Sequence, residues 1–232
     1  MVGFILDAIF PKHCISCKAS NTYFCSSCIL NIKQADLVCP QCGRFSVGGI
    51  THPVCKSKYG LDGLWSLGIY KAPLKNAIQS LKYKGIKELS DILAYILIEY
   101  WAKFNPMFLD QVKTTKGKGW LVVPVPLHWY RENIRGFNQV QLISQSLSQT
   151  LGLDYCEALK KVRHTSSQTR LNRFDRRKNI QNAFSLSTNY LVRSTNVLLI
   201  DDVWTTGSTL KECCYVLKSA GAKKVWAITL AR

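Results

Sequence analysis

Acidic residues are scarce in this chain of 232 residues: 14 Asp plus Glu stand against 31 Lys plus Arg. The resulting positive field attracts polyanions, whether nucleic acid, phosphorylated metabolites or an anionic membrane surface, and charge alone does not choose among them. Long apolar runs are also missing. The stretch at 92–98 is broken by Glu99 and Lys103, well short of the roughly 20 apolar residues that cross a bilayer, so no membrane span is expected. The opening residues are apolar but lack a positive leader, carry Asp7 and offer no small-residue cleavage site; a soluble, cytoplasmic protein is the expectation. Internal repeats and low-complexity segments are absent apart from paired C-x-x-C units. With 47% hydrophobic and 19% charged residues, the composition is that of an ordered chain with room for one medium domain and a small appendage.

What is abundant is cysteine, and it is clustered. Seven of the ten cysteines lie between Cys14 and Cys55, mostly as C-x-x-C pairs, an arrangement that favours metal in a reducing compartment over disulfides. Cys14, Cys17, Cys25 and Cys28 supply four thiolates, enough for one tetrahedral zinc. Cys39, Cys42, His52 and Cys55 supply three sulfurs and an imidazole, enough for a second. Two closed sites are structural, because neither keeps an open position for a reacting water. An interleaved pairing is equally allowed by stereochemistry, and the plainer alternative is redox pairs or bare thiols. Cys156, Cys213 and Cys214 read as small apolar fillers.

The character changes near residue 60, which divides the chain into a cysteine-rich domain, 1–60, and an α/β domain, 61–232. A strand-like LWSLGIY is followed by Leu74, Ala77, Ile78 and Leu81 at helical spacing. A second helix keeps Leu89, Ile92, Leu93, Ile96, Leu97, Tyr100 and Trp101 on one stripe, with Ser90 or a nearby polar residue to cap it. WLVVPVP is a short buried strand ended by Pro124 and Pro126. A helix over about 138–151 follows, then a basic stretch expected to be partly helical, then NVLLI, suited to a central parallel strand. A helix over 208–220 and a last strand KVWAITLA complete an alternation that implies a doubly wound parallel sheet.

The segment NVLLIDDVWTTGST joins an apolar strand, two carboxylates and a glycine-bearing hydroxyl loop to a helix. Ligands of open α/β sheets sit beyond the carboxyl ends of the strands, where a helix N-terminus faces an anion. Gly207 lets the backbone approach a phosphate, and Thr205, Thr206, Ser208 and Thr209 add hydroxyl donors. Asp201 and Asp202 need a different partner: sugar hydroxyls, or a magnesium ion that also touches the ligand. The pattern resembles the signature of type I phosphoribosyltransferases. That resemblance implies that Asp201 and Asp202 address the ribose hydroxyls of phosphoribosyl pyrophosphate while residues 205–209 wrap its 5-phosphate; Trp204 falls where the family is variable. A pyrophosphate loop is expected at the end of an earlier strand, at Pro126, Leu127 and His128, with Arg131 and Arg135 able to meet a diphosphate bidentately. A lone histidine in a loop, such as His128, is more often a packing or surface residue.

Taken together, the C-x-x-C pairs, CPQCG, RGFNQ at 135–139, the R..N...AF pattern through Arg176, Asn179 and Phe184, and DDVWTTGST are similar to the ComF family of competence-associated, phosphoribosyltransferase-like proteins. His52 departs from it, standing where members with a full second finger usually have Cys. The resemblance implies a type I phosphoribosyltransferase-like fold after a double zinc ribbon-like module, and a role in natural transformation, handling single-stranded DNA that has entered the cell. Lys160, Lys161, Arg163, Arg170, Arg173, Arg176, Arg177 and Lys178 form the candidate strand-tracking surface, with Trp129, Tyr130, Phe137 and Phe174 available for stacking; the plainer readings are a solvated face and core aromatics. Two other functions remain open. One is an active phosphoribosyltransferase with an unidentified base or nucleotide acceptor, for which no nucleobase pocket is legible. The other is an adaptor whose zinc module docks to a DNA-uptake helicase or channel protein.

Overall fold

A computed structural model of the protein describes residues 11–104, 106–163, 179–187 and 192–232, apart from the side chains of Met107 and Arg131. Five strands form one parallel sheet: β1 (Gly63–Gly68), β2 (Trp120–Pro124), β3 (Asp154–Tyr155), β6 (Asn196–Val203) and β7 (Lys224–Ala231), in the order β1-β7-β6-β2-β3. A separate antiparallel pair joins β4 (Leu159–Lys161) to β5 (Phe184–Leu186). Strand β6 lies at the centre of the five, between β2 and β7.

The period of two along β6 explains both layers. Leu198 and Ile200 belong to one apolar cluster, with Trp120, Val122, Trp226 and Ile228. That cluster is closed by α2 (Leu74–Lys84), α3 (Leu89–Phe104), α4 (Met107–Thr114) and α6 (Gln139–Leu151). Val197 and Leu199 face the other way, with Leu121, Val123, Val225 and Ala227, and are covered by α7 (Ser208–Ser219). Burial on both faces accounts for a strand that reads as an unbroken apolar run. Cys213 and Cys214 of α7 are fully buried in this second layer, and Cys156 nearly so, all three as free thiols; burial pushes the Cys213 thiol well above its usual range.

Helix ends follow the residues available. Asn138 caps α6 by accepting from the Val140 N–H at 3.0 Å, and α2 stops at Gly85 with φ of +67°, the left-handed conformation that favours glycine. Ser90 does not cap α3. It lies within the first turn, and its hydroxyl donates to the Lys87 carbonyl at 2.6 Å, because a serine hydroxyl in a helix readily bonds back to the preceding turn.

The cysteine-rich segment is packed into the sheet domain. Its one α-helix among the described residues is α1 (Ser26–Leu30). Cys14, Phe24, Cys28 and Ile32 belong to the same apolar cluster as Trp65 and Trp101. Backbone bonds from Ile69 to Lys33 (2.8 Å) and from Thr51 to Asp62 (2.8 Å) tie it to the two ends of β1.

Candidate functional site

The carboxyl end of β6 builds the site. The apolar run gives way to Asp201 and Asp202, and the Trp204 N–H then bonds the Ala231 carbonyl at 2.8 Å, so the chain turns at the carboxyl end of the sheet. Gly207 holds φ of +71°, and a Cβ there would run into the buried Trp204 ring; both facts demand glycine. Helix α7 starts on Gly207 without a side-chain cap. The Thr206 and Ser208 hydroxyls lie 2.9 Å apart and Thr205 is exposed. The Ser208 N–H reaches the Thr206 hydroxyl at 3.4 Å, so hydroxyls and the first amides of a helix are gathered in one cradle-like turn, the arrangement that accepts an anion.

The two acids differ. Asp202 Oδ2 receives the Lys82 ammonium at 2.7 Å and the Gln139 side-chain N–H at 2.5 Å. Asp201 Oδ1 accepts the Asp202 backbone N–H at 2.8 Å. Burial, with the neighbouring Asp202 charge adding to it, pushes the Asp201 carboxyl up to about 7, against the partial relief of that N–H and of Lys82 and Lys161. A carboxylate held at this disadvantage gains most from a cation or from sugar hydroxyls. Magnesium fits this donor set chemically, with Asp201 the more available oxygen donor.

Residues of the pyrophosphate loop are split. Pro126 and Leu127 line a cleft of about 240 Å³ with Trp129, Lys160 and Lys161. His128 is buried and caps α5 (Trp129–Arg135), its Nδ1 accepting from the Tyr130 N–H at 3.3 Å. Arg135 lies elsewhere: its guanidinium donates to Gln139 Oε1 and stands 5.6 Å from the centre of the Tyr83 ring. It therefore reaches Asp202 through Gln139. Lys160 and Lys161 sit on β4, and Arg163 donates to the carbonyls of Asn179 (2.9 Å) and Gln181 (2.7 Å), bracing the chain. Arg170, Arg173, Arg176, Arg177, Lys178 and the aromatic Phe174 lie outside the described residues, as does the side chain of Arg131. Lys82 and Gln139, which meet Asp202, are the residues at the acid pair that sequence reasoning missed. Lys82 carries no signal beyond the polar face of an amphipathic helix, whereas Gln139, a polar residue at 1% exposure, stands inside the quoted RGFNQ segment.

The cysteine pairs sort themselves by place. Cys14, Cys17, Cys25 and Cys28 form one group and Cys39, Cys42, His52 and Cys55 another, each with its ligand atoms within 4.8 Å of one another; the interleaved pairing is not adopted. Each group could hold a metal ion. Burial raises the Cys14 thiol, but the N–H groups of Cys17, Cys25 and Ser16 outweigh it and bring it down to about 6. Cys39 falls to about 7 by the same opposition, burial against the N–H groups of Cys42, His52 and Gln41. Burial and the neighbouring thiols push Cys28 up to about 12. Thiols crowded this way need a shared cation to ionise together. His52 Nε2 lies 2.9 Å from the Phe45 carbonyl, which fixes its proton there and leaves Nδ1, 3.4 Å from Cys42 Sγ, as the ligand atom.

The second group borders the cradle. Pro40, Gln41 and Gly43 face Trp204, Thr205, Thr206 and Lys211 across a cleft of about 420 Å³. Gln41 also lines an adjoining cleft of about 520 Å³ with Thr206, Ser208 and Lys211.

Residues 137–232 match the model of the phosphoribosyl transferase domain. Competence protein F of Haemophilus influenzae is 33% identical, with 96% of this chain and 98% of the relative covered. The chain belongs to the ComF family. The DNA utilization protein YhgH of Salmonella typhi is 31% identical over 96% of this chain and 97% of its own. Competence protein ComFC of Streptococcus pneumoniae is 26% identical over 90% and 87%. In this ComF-family chain the matched domain holds the cradle, Asp201, Asp202 and Gln139, whereas Lys82 and both cysteine groups lie before it.

Proposed function

We propose that this protein handles single-stranded DNA in the cytoplasm during DNA uptake or utilisation and binds phosphoribosyl pyrophosphate, or a related sugar phosphate, at residues 201–209. In this reading it divides near residue 60 into a scaffold with two structural zinc ions and a phosphoribosyltransferase-like domain. The observation that carries the reading is the gathering of hydroxyls and helix-start amides at Gly207 beside a carboxylate held up to about 7. The names of the relatives, competence and DNA utilization, support the DNA half.

The chemistry follows from the residues. Backbone and hydroxyl donors at 206–209 receive the 5-phosphate, Asp201 accepts from ribose hydroxyls, and Lys82 with Gln139 holds Asp202 in place. Magnesium bound with the ligand supplies charge neutralisation for the diphosphate. Calorimetric titration with phosphoribosyl pyrophosphate and magnesium should give saturable binding that the Asp201→Asn/Asp202→Asn protein loses; equal binding by both would remove the reading. No helix among the described residues is long and apolar enough to cross a membrane.

One observation favours a second reading, an active transferase. The cleft that Pro40 and Gln41 share with Trp204 and Thr205 has room for an acceptor beside the cradle. Pyrophosphate release against a panel of bases would support it, and no release with any base would count against it.

A further inference from the structure

The described residues include a further concavity of about 590 Å³, between the end of α2 and the turn after α5, lined by Lys82, Tyr83, Lys84, Ile134, Arg135 and Phe137. Its chemistry is neither that of a core nor that of an ordinary solvated face. Tyr83 is 76% exposed and Ile134 71%, so two large apolar side chains stand in water beside basic groups. Cations already lie over the aromatic faces: the Arg135 guanidinium is 5.6 Å from the Tyr83 ring centre, and the Lys87 ammonium is 5.2 Å from that of Phe137. Against these cations stand Glu88, exposed next to Lys87, Glu132, one turn before Arg135 on α5, and Asp202, already paired with Lys82.

We infer that this groove is a single-stranded nucleic-acid subsite, in which an unpaired base stacks on Tyr83 and Phe137 while flanking phosphates lie on Lys84, Lys87 and Arg135. The inference deepens the DNA-handling reading and rests on it. A duplex hides the faces of its bases and gains nothing from exposed rings, and a small anion needs the cations but not Tyr83 or Ile134. An unpaired strand uses both, since base stacking on an aromatic side chain adds to phosphate neutralisation. The groove also connects to the sugar site. Lys82 lines it and holds Asp202, and Arg135 lines it and holds Gln139, which donates to the same carboxylate. A base seated in the groove brings its own sugar-phosphate toward the mouth at Asp201. The basic run at 160–178 then serves a different stretch of strand.

The test uses the full zinc-loaded chain and a short oligonucleotide carrying 2-aminopurine, whose fluorescence falls on stacking. The wild-type protein should bind and quench it. Tyr83→Ala should weaken binding by roughly tenfold and remove the quenching, and Tyr83→Phe should restore both, because the ring is what acts. Lys84→Gln with Lys87→Gln should keep the quenching and reduce the dependence of log affinity on log salt by about 1.4. Unchanged affinity and quenching in Tyr83→Ala, or equal binding of a blunt duplex, would overturn the groove while leaving the DNA reading standing. Failure of the wild-type chain to bind any single strand would remove the DNA reading itself, and the groove with it.

Discussion

The two cysteine groups have nearly the same composition and opposite surroundings. In the first, Cys14 and Cys28 are buried among Phe24, Ile32 and Trp65, inside the cluster that also holds the central strand. In the second only Cys39 is buried, Cys42 is exposed, and the knuckle residues Pro40 and Gln41 border the phosphate cradle. The difference teaches that similar metal chemistry can serve two ends: the first group completes the core, and the second shapes a wall of the site.

The largest expected effect follows from the first group. Replacing Cys28 by Ser leaves Cys14 a buried thiol brought down to about 6 without its metal. Structural zinc contributes on the order of 10 kcal/mol to small modules. A melt followed by circular dichroism should lose its cooperative transition, and a native-like melt would break the comparison at its root.

Next in size is a pH effect at the cradle. The folded Asp201 carboxyl titrates near 7, above the unfolded value of about 3.9. Its contribution to stability is thus complete below about pH 4 and lost as the pH rises through 7. Asp201→Asn should stabilise the ligand-free protein at pH 8 by roughly 2–4 kcal/mol, with the gap closing toward pH 4. Denaturant midpoints at the two pH values check the sign. Binding of magnesium with the sugar phosphate should in turn strengthen between pH 6 and 8, as the carboxyl gives up its proton.

Cys42→Ser sharpens the contrast between the groups. It should keep the cooperative melt yet lower affinity for phosphoribosyl pyrophosphate by roughly tenfold, or about 1.4 kcal/mol, because Gln41 no longer stands against Thr206. Affinity equal to wild type, measured by titration, would separate the second group from the site. The smallest effect concerns the imidazole: His52→Cys should retain both metals in a zinc assay, whereas His52→Ala should lose one.

Much of this was legible in the residues. The β6 to α7 unit could be read because an apolar run, two acids and Gly207 each point to the same turn, and the double-sided sheet follows from NVLLI alone. The partition of ligands could not be read, since thiol spacing permits either pairing and only the fold chooses. The partners of Arg135 could not be read for a related reason. It follows the expected pyrophosphate loop by few residues, but α5 carries it round to Gln139 and Tyr83. Lys82 left no trace at all, because its partner Asp202 is 120 residues away in sequence and contacts that distant are set by packing.

The most direct measurement is a crystal structure of the protein soaked with ribose 5-phosphate and magnesium. The account predicts the phosphate at the backbone of 206–209 and the ribose hydroxyls against Asp201. A phosphate bound only at Lys160 and Lys161, or a cradle closed on itself with the sugar excluded, would contradict it.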